Sequence, residues 1–305
     1  MLKLFDNIIP QFPEVNIEIN SIPNRLKIFD ENTNTTTPIF SYNDDVSVKI
    51  TINPKNVSNN FEHLGIIIYL KGDFENLQNN RNIITFLNNK KILLNAGDLT
   101  KSISLTSNFT NNNFLIESYN GNNFNINYYI EIKIIRKFLG TEKKYKKIFF
   151  IKNLNKAPII NGNIRLEIGV SNKLHMEYEL FESKFHLNDV ITGKIFIVDI
   201  NTLVNYIELN LIKKETVYCE IEGLNKKQQK FENIIVGRME ICDGQPYEKT
   251  IIPFRFYLKG RNLSPTVKNN DLFSIKYYIK FIVVLENEKI LYKSQEIFLY
   301  RKEYI

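Results

Sequence analysis

The chain has 305 residues, 43% hydrophobic and 24% charged with 12 Gly and 9 Pro, which excludes a low-complexity protein and leaves room for two domains of about 150 residues each. Its formal net charge is +7, but no RNP-type, zinc-finger or basic-helix pattern accompanies the charge, so no nucleic-acid partner is expected. Two cysteines, Cys219 and Cys242, are too few for a disulfide framework, and the longest apolar run, residues 64–70, is far too short to span a membrane.

Residues 1–10 are apolar, but Lys3 and Asp6 interrupt them and Pro10 ends them, so they do not read as a secretory signal. A cytosolic protein with reduced thiols is expected. Beyond them, apolar and polar residues alternate with a period of two in short segments punctuated by Asn, Asp, Gly and Pro, the pattern of antiparallel strands with one buried face. In the first half this predicts strands at 15–19, 46–52, 66–70, 124–135 and 145–151. Thr33, Thr35, Thr36 and Thr37 read as a disordered turn, and residues 136–147 as a lysine-bearing hairpin that could touch anionic lipid but reads first as a solvated hairpin protecting a sheet edge. In the second half, strands are expected at 164–170, 175–180, 194–200, 207–213, 252–258, 273–285 and 290–300. No long 3.6-residue period occurs. The fold class is therefore all-β, two tandem antiparallel β-sandwich domains, 1–155 and 156–305, with the boundary where Asn, Pro158 and Gly162 cluster.

An internal repeat supports the division. Phe40, Asn43, Asp44, Lys49 and Ile50 coincide with Phe185, Asn188, Asp189, Lys194 and Ile195 without a gap. Later, Phe124, Ile126, Tyr128, Ile130 and Ile132 align with Phe273, Ile275, Tyr277, Ile279 and Phe281. Each set is expected on a buried face, because a one-residue slip would turn all of it into water.

Catalytic constellations are missing. There is no Gly-rich phosphate cradle, no Gly-x-Ser-x-Gly elbow and no His-Glu-x-x-His helix, and His63, His175, His186 and the two cysteines are scattered without metal-ligand spacing. No enzyme, no metal and no cofactor is expected. Asp44, Asp45 and Asp189 could suggest a calcium-binding sandwich, but the recurrence of Asn-Asp at matching places in the repeat reads as turn chemistry instead.

Several segments then resemble one family in order: Leu166-Glu-Ile-Gly169, His175-Met-Glu-Tyr-Glu179, Phe185-His-Leu-Asn-Asp-Val190, Gly193-Lys-Ile195, Ile212-Lys-Lys-Glu-Thr216, Glu240-Ile-Cys-Asp-Gly244, Ile252-Pro-Phe-Arg-Phe-Tyr-Leu258 and Leu263-Ser-Pro-Thr266. In the first half Phe61-Glu-His-Leu-Gly65 and Glu117-Ser-Tyr-Asn-Gly121 join them. The chain resembles the vacuolar protein sorting-associated protein 26 family, the arrestin-like subunit of the retromer coat. The resemblance implies an arrestin-like pair of sandwiches that binds the α-solenoid scaffold subunit of retromer and helps recruit a sorting nexin and the cytosolic tails of transmembrane cargo. It implies a cytoplasmic location, peripheral on the cytosolic face of endosomal membranes, with indirect membrane association. The scaffold contact falls on a loop with an apolar pair before an Asp-Gly turn, here Ile241, Cys242, Asp243 and Gly244, with Cys242 where the family usually has a larger Met. Cargo and sorting nexin would use a groove between the domains at positions that fall on Ile168 and Tyr292. A retriever-type subunit or a free arrestin-type adaptor is the alternative.

Two departures stand out against the family. About six extra residues appear between Thr216 and Ile241, including Lys226-Lys-Gln-Gln-Lys230, and are expected to form an exposed, mobile loop. The family's Gly of the first repeat is Val48, whereas Gly193 keeps it in the second.

Overall fold

A computed structural model describes residues 11–20, 27–30, 35–55, 61–78, 82–154, 158–221, 224–268 and 270–302. The apolar N-terminal ten residues, Thr33 and positions 155–157 of the expected boundary lie outside these residues. Contacts divide the chain into two compact units, Met1–Asn153 and Leu154–Ile305.

The first unit is built from β1 (Glu14–Asn20), β2 (Lys27–Asp30), β3 (Thr35–Phe40), β4 (Val46–Asn53), β5 (Phe61–Asn76), β6 (Asn82–Leu99), β7 (Ile103–Phe109), β8 (Tyr119–Asn120), β9 (Phe124–Arg136) and β10 (Glu142–Ile151). One sheet has the order β1-β4-β7; the other runs β2-β3-β10-β9-β5-β6, with β8 attached to β9. The second unit contains β11 (Ile164–Val170), β12 (Leu174–Leu180), β13 (Lys184–His186), β14 (Val190–Ile200), β15 (Val204–Ile221), β16 (Leu224–Asp243), β17 (Ile251–Tyr257), β18 (Phe273–Leu285) and β19 (Ile290–Tyr300). Its sheets are β11-β12-β14-β17 and β13-β19-β18-β15-β16.

The two units share one wiring. The path β3-β10-β9-β5-β6 recurs as β13-β19-β18-β15-β16, and β1-β4-β7 recurs as β12-β14-β17. In both, the short early strand lies parallel to the last one, Phe150 beside Ile39 and Phe185 beside Leu299. The repeated alternation has its cause in burial: Phe124, Ile126, Tyr128, Ile130 and Ile132 are all buried, as are Phe273, Ile275, Tyr277, Ile279 and Phe281. Fully burying each such aliphatic or Phe side chain is worth roughly 1.5–3 kcal/mol, so a slipped register is heavily penalised. Facing sheets meet through these rings in the second unit, where Phe281 of β18 lies 4.2 Å from Tyr178 of β12 and 5.7 Å from Phe254 of β17. The repeated Asn-Asp pairs make the same turn twice. The Ser41 N–H donates to Asp44 Oδ2 at 2.7 Å, and the His186 N–H donates to Asp189 Oδ2 at 2.7 Å.

The units diverge in strand complement, β2 and β8 having no counterpart in the second and β11 none in the first, and also at particular core positions. Gly72 stands opposite Tyr128 and Phe74 opposite Ile126 in the first unit; Lys213 stands opposite Tyr277 and Glu215 opposite Ile275 in the second. An aromatic filler has thus been replaced by a buried ion pair, Lys213 Nζ to Glu215 Oε1 at 2.9 Å. A second exchange concerns bulk: Val48 is paired with Ser107, while Gly193 is paired with Phe254.

Three sequence expectations are corrected. Thr35, Thr36 and Thr37 belong to β3, which is hydrogen-bonded to β2 on one side and β10 on the other, so backbone pairing overrides the low apolar content of the segment. The expected mobile loop at 226–230 is strand: Lys230 pairs with Val217, Gln229 with Tyr218 and Gln228 with Cys219, because the inserted residues lengthen a hairpin instead of bulging from it. The long strands β6 and the body of β16 were not expected at all.

Candidate docking site

Ile241 and Cys242 lie on β16, the edge strand of the five-stranded sheet, and not on a loop. Along β16 the partner residues step from Glu208–Glu240 to Ile207–Cys242, which leaves Ile241 as one unmatched residue in a β-bulge. A second bulge leaves Val236 unmatched between Ile235 and Gly237. Its carbonyl accepts from Arg261 Nη1 at 3.0 Å, and the same guanidinium lies 4.5 Å from the Phe256 ring. Bulges and such plugs blunt an exposed strand edge against indiscriminate pairing.

Cys242 stands directly opposite buried Ile207, so its side chain shares the core face of the sheet at the margin. Ile241 and Cys242 are both half-buried. Burial, followed by the nearby Asp243 and Glu240 carboxylates, pushes the Cys242 thiol above its ordinary pKa. Cys242 is therefore expected to alkylate more slowly than a free thiol at neutral pH, which peptide mapping after a timed maleimide pulse measures.

Gly244 ends the strand with a φ of +76°, a left-handed conformation that glycine adopts without strain, and its N–H donates to Asn205 O at 2.6 Å. The return to β17 is pinned further: Val204 N–H donates to Gln245 Oε1 at 2.7 Å and Lys249 N–H to Ile197 O at 2.7 Å. This fixed turn exposes Tyr247, at 84% of its full accessibility, five residues after Cys242. Across the sheet, Asp243 faces Tyr206, Tyr206 faces Val284, and Val284 faces Ile290. Exposed Leu203 and Ile290 therefore lie at the same end of the unit as Ile241 and Cys242, across four strands spaced about 4.8 Å apart. The sequence reading missed Leu203, Tyr247 and Ile290. The signal available was a lone apolar residue within or beside polar turn segments, as in Gln245-Pro-Tyr-Glu-Lys249.

The other two candidate residues separate. Ile168, on β11, is buried and paired with Met176. Tyr292, on β19, is exposed, with Lys280 Nζ 4.1 Å from its ring centroid. They belong to different sheets of the second unit. A cleft of about 760 Å³ lies over the β11-β12-β14-β17 sheet, lined by Arg165, Glu167, Glu177, Glu179 and Phe196 and bordered by Lys293 of β19, and neither Ile168 nor Tyr292 lines it. Lys194 and Asn163 hydrogen-bond the neighbouring Glu179 carboxylate and hold its pKa at about 2. Among the described residues β11 has no strand partner on its outer side. Glu167, His175 and Glu177 bring ligand atoms within 4.8 Å of one another, but they are the outward positions of a polar strand pair, and nothing else there points to a metal.

Among the described residues no helix is long and apolar enough to cross a membrane. A family model for vacuolar protein sorting-associated protein 26 matches residues 11–288. The chain is 37% identical over 267 residues to vacuolar protein sorting-associated protein 26 of Plasmodium falciparum, covering 87% of each chain. It is 34% identical to the protein of that name in Dictyostelium discoideum, covering 87% of this chain and 74% of the relative, and 32% identical to protein 26B of Mus musculus, covering 87% and 76%.

Proposed function

Because the chain belongs to the vacuolar protein sorting-associated protein 26 family, a protein-transport family and not an enzyme class, we propose that it is the arrestin-like subunit of a retromer coat. Its task is to join the α-solenoid scaffold subunit to a sorting nexin and to the cytosolic tails of transmembrane cargo, peripherally on the cytosolic face of endosomal membranes. The observation that carries the reading is the end of β16. There a half-buried apolar pair, Ile241 and Cys242, sits at a bulge on an edge strand, at the end of the unit that also carries exposed Leu203 and Ile290, with exposed Tyr247 in the turn that follows. Apolar anchors set among fixed turns are the arrangement from which a few residues supply most of an interface's energy. Asp243 and Gly244 set the exit of the strand and hence the orientation of the pair.

A pull-down with the cognate scaffold subunit tests this. Ile241→Asp with Cys242→Asn is expected to abolish capture, and full capture by the double variant refutes the contact. A second readout is independent of folding. Scaffold binding to the unaltered chain should protect Cys242, and not Cys219, from alkylation, the two thiols being resolved by peptide mass. Co-purification with a retriever-type scaffold in place of the retromer scaffold would transfer the assignment.

Cargo and sorting nexin are assigned to the cleft over β11 and β12 that Lys293 of β19 borders. Its open strand edge can accept an extended tail through main-chain hydrogen bonds. Lys293 of β19 borders the cleft, whereas exposed Tyr292, one residue away, is on the other face of β19, and Ile168 contributes through the position of β11, its side chain being buried.

A further inference from the structure

We propose that the tip of the β9–β10 hairpin in the first unit is a direct membrane-contact point, placing Phe138 and Leu139 among the headgroups of a bilayer that contains anionic lipid. The contact is separate from the β16 site and adds to recruitment by protein partners.

Charge is the first reason. Residues 133–147 contain seven basic residues and one acidic residue, in a chain whose whole formal charge is +7. The remainder of the molecule is close to neutral, so the field of the protein is concentrated on one hairpin. Arg136 is tucked away, its guanidinium 4.2 Å from the Phe12 ring, which leaves six lysines as the outward charge. Register spreads them around the hairpin. Lys144 lies opposite Lys133 and Lys146 opposite Glu131 on one face, while Lys143 and Lys147 lie opposite core residues Ile134 and Ile130 on the other. Three carboxylates already meet four of these six lysines. Glu142 contacts Lys133 and Lys144, Glu62 contacts Lys137, and buried Glu131 is shared by Lys71 and Lys146.

The second reason is the turn at the end of this lysine-bearing hairpin. The turn between the strands, Phe138–Gly140, buries none of its residues, and Phe138 and Leu139 are 58% and 71% exposed. Leu139 has a φ of +61°, a conformation that leucine rarely adopts. The turn is nevertheless anchored, Arg136 N–H donating to Thr141 O at 2.8 Å and Lys137 N–H to Glu62 O at 3.0 Å. Exposed Leu64 of β5 sits beside it, between His63, which pairs with Arg136, and Gly65, which pairs with Ile135. A held, strained turn that exposes two apolar side chains beside Lys137, with Lys143 and Lys144 on the adjoining strand and more lysines farther along the hairpin, has the amphipathic layout of an interfacial anchor.

Shape and residue type favour a bilayer over an acidic protein. The exposed apolar surface at the tip is two adjacent residues, Phe138 and Leu139. Its cations are lysines, hydrated point charges suited to diffuse headgroups, where a defined carboxylate surface would call for the planar fork of arginine.

The experiment is co-sedimentation of the purified full chain with vesicles of phosphatidylcholine, with and without phosphatidylserine. Binding is expected only with phosphatidylserine and should weaken as salt is raised. Phe138→Ser with Leu139→Gly is expected to lower the partition coefficient about tenfold or more. Glycine accepts the φ of residue 139, so this variant should melt no lower than the parent, which separates lost binding from lost folding. Replacing Lys143 and Lys144 by Gln should lower partitioning about fivefold for each lysine. Equal sedimentation with and without phosphatidylserine, no sedimentation, or unchanged binding by the tip variant overturns the proposal. So does binding to immobilised poly-aspartate without binding to vesicles, which would assign the hairpin to an acidic protein.

Discussion

Gly193→Val is expected to lower the stability of the chain by about 3 kcal/mol or more, although its counterpart in the first repeat is valine. The cause is close approach: a Cβ at residue 193 would lie 2.3 Å from Glu179 O and 2.5 Å from the Phe254 ring. At the equivalent place in the first unit the neighbour of Val48 is Ser107, so bulk on one strand is matched by a small residue on the next. In the second unit the large residue is Phe254 and the small one must be Gly193. Trimming Phe254 to Val together with Gly193→Val should restore only part of the loss, since the Glu179 carbonyl belongs to a neighbouring strand of the same sheet and cannot withdraw like a side chain. Urea unfolding of the parent and both variants gives the comparison. A Gly193→Val chain with an unchanged midpoint would show that β12 and β14 yield more easily than their pairing implies.

Glu215→Ala is expected to lower stability by about 3–5 kcal/mol, because it leaves the Lys213 ammonium in a buried position without this carboxylate. Both side chains are buried, Glu215 completely, and the pair occupies the site that Gly72 and Phe74 fill in the first unit. Attraction at 2.9 Å is offset by the desolvation of two charges, so the pair itself need not be strongly stabilising. The large number belongs to breaking it. Replacing both residues, Lys213→Met with Glu215→Leu, should therefore recover part of what the single change loses. The same unfolding experiment decides it: equal losses for the single and double variants would mean that the apolar pair does not fit the space.

The fold was legible in the sequence where one face of a strand is wholly buried. The sets beginning at Phe124 and Phe273 alternate cleanly and repeat, and both were placed correctly. Where a strand lies at a sheet edge the signal fails, for a physical reason. β6 is exposed along nearly all its length, and bulges leave Phe86 and Leu93 unmatched, so its apolar residues fall at irregular positions: Ile83, Ile84, Phe86, Leu87, Ile92 and Leu93. Each bulge shifts the period by one and erases alternation. β16 hides itself the same way at Val236 and Ile241, which is why Ile241 and Cys242 read as a loop. The apolar pair was legible as residues, its setting was not. Leu203, Tyr247 and Ile290 carried no local pattern, since only the sheet's cross-strand rows bring them to one end.

The parallel pairing of β3 with β10 and of β13 with β19 ties an early strand of each unit to its last. During synthesis, neither sandwich can zip shut until its final strand has left the ribosome, so the chain should mature in two discrete clicks, the first once residue 151 has emerged and the second once residue 300 has.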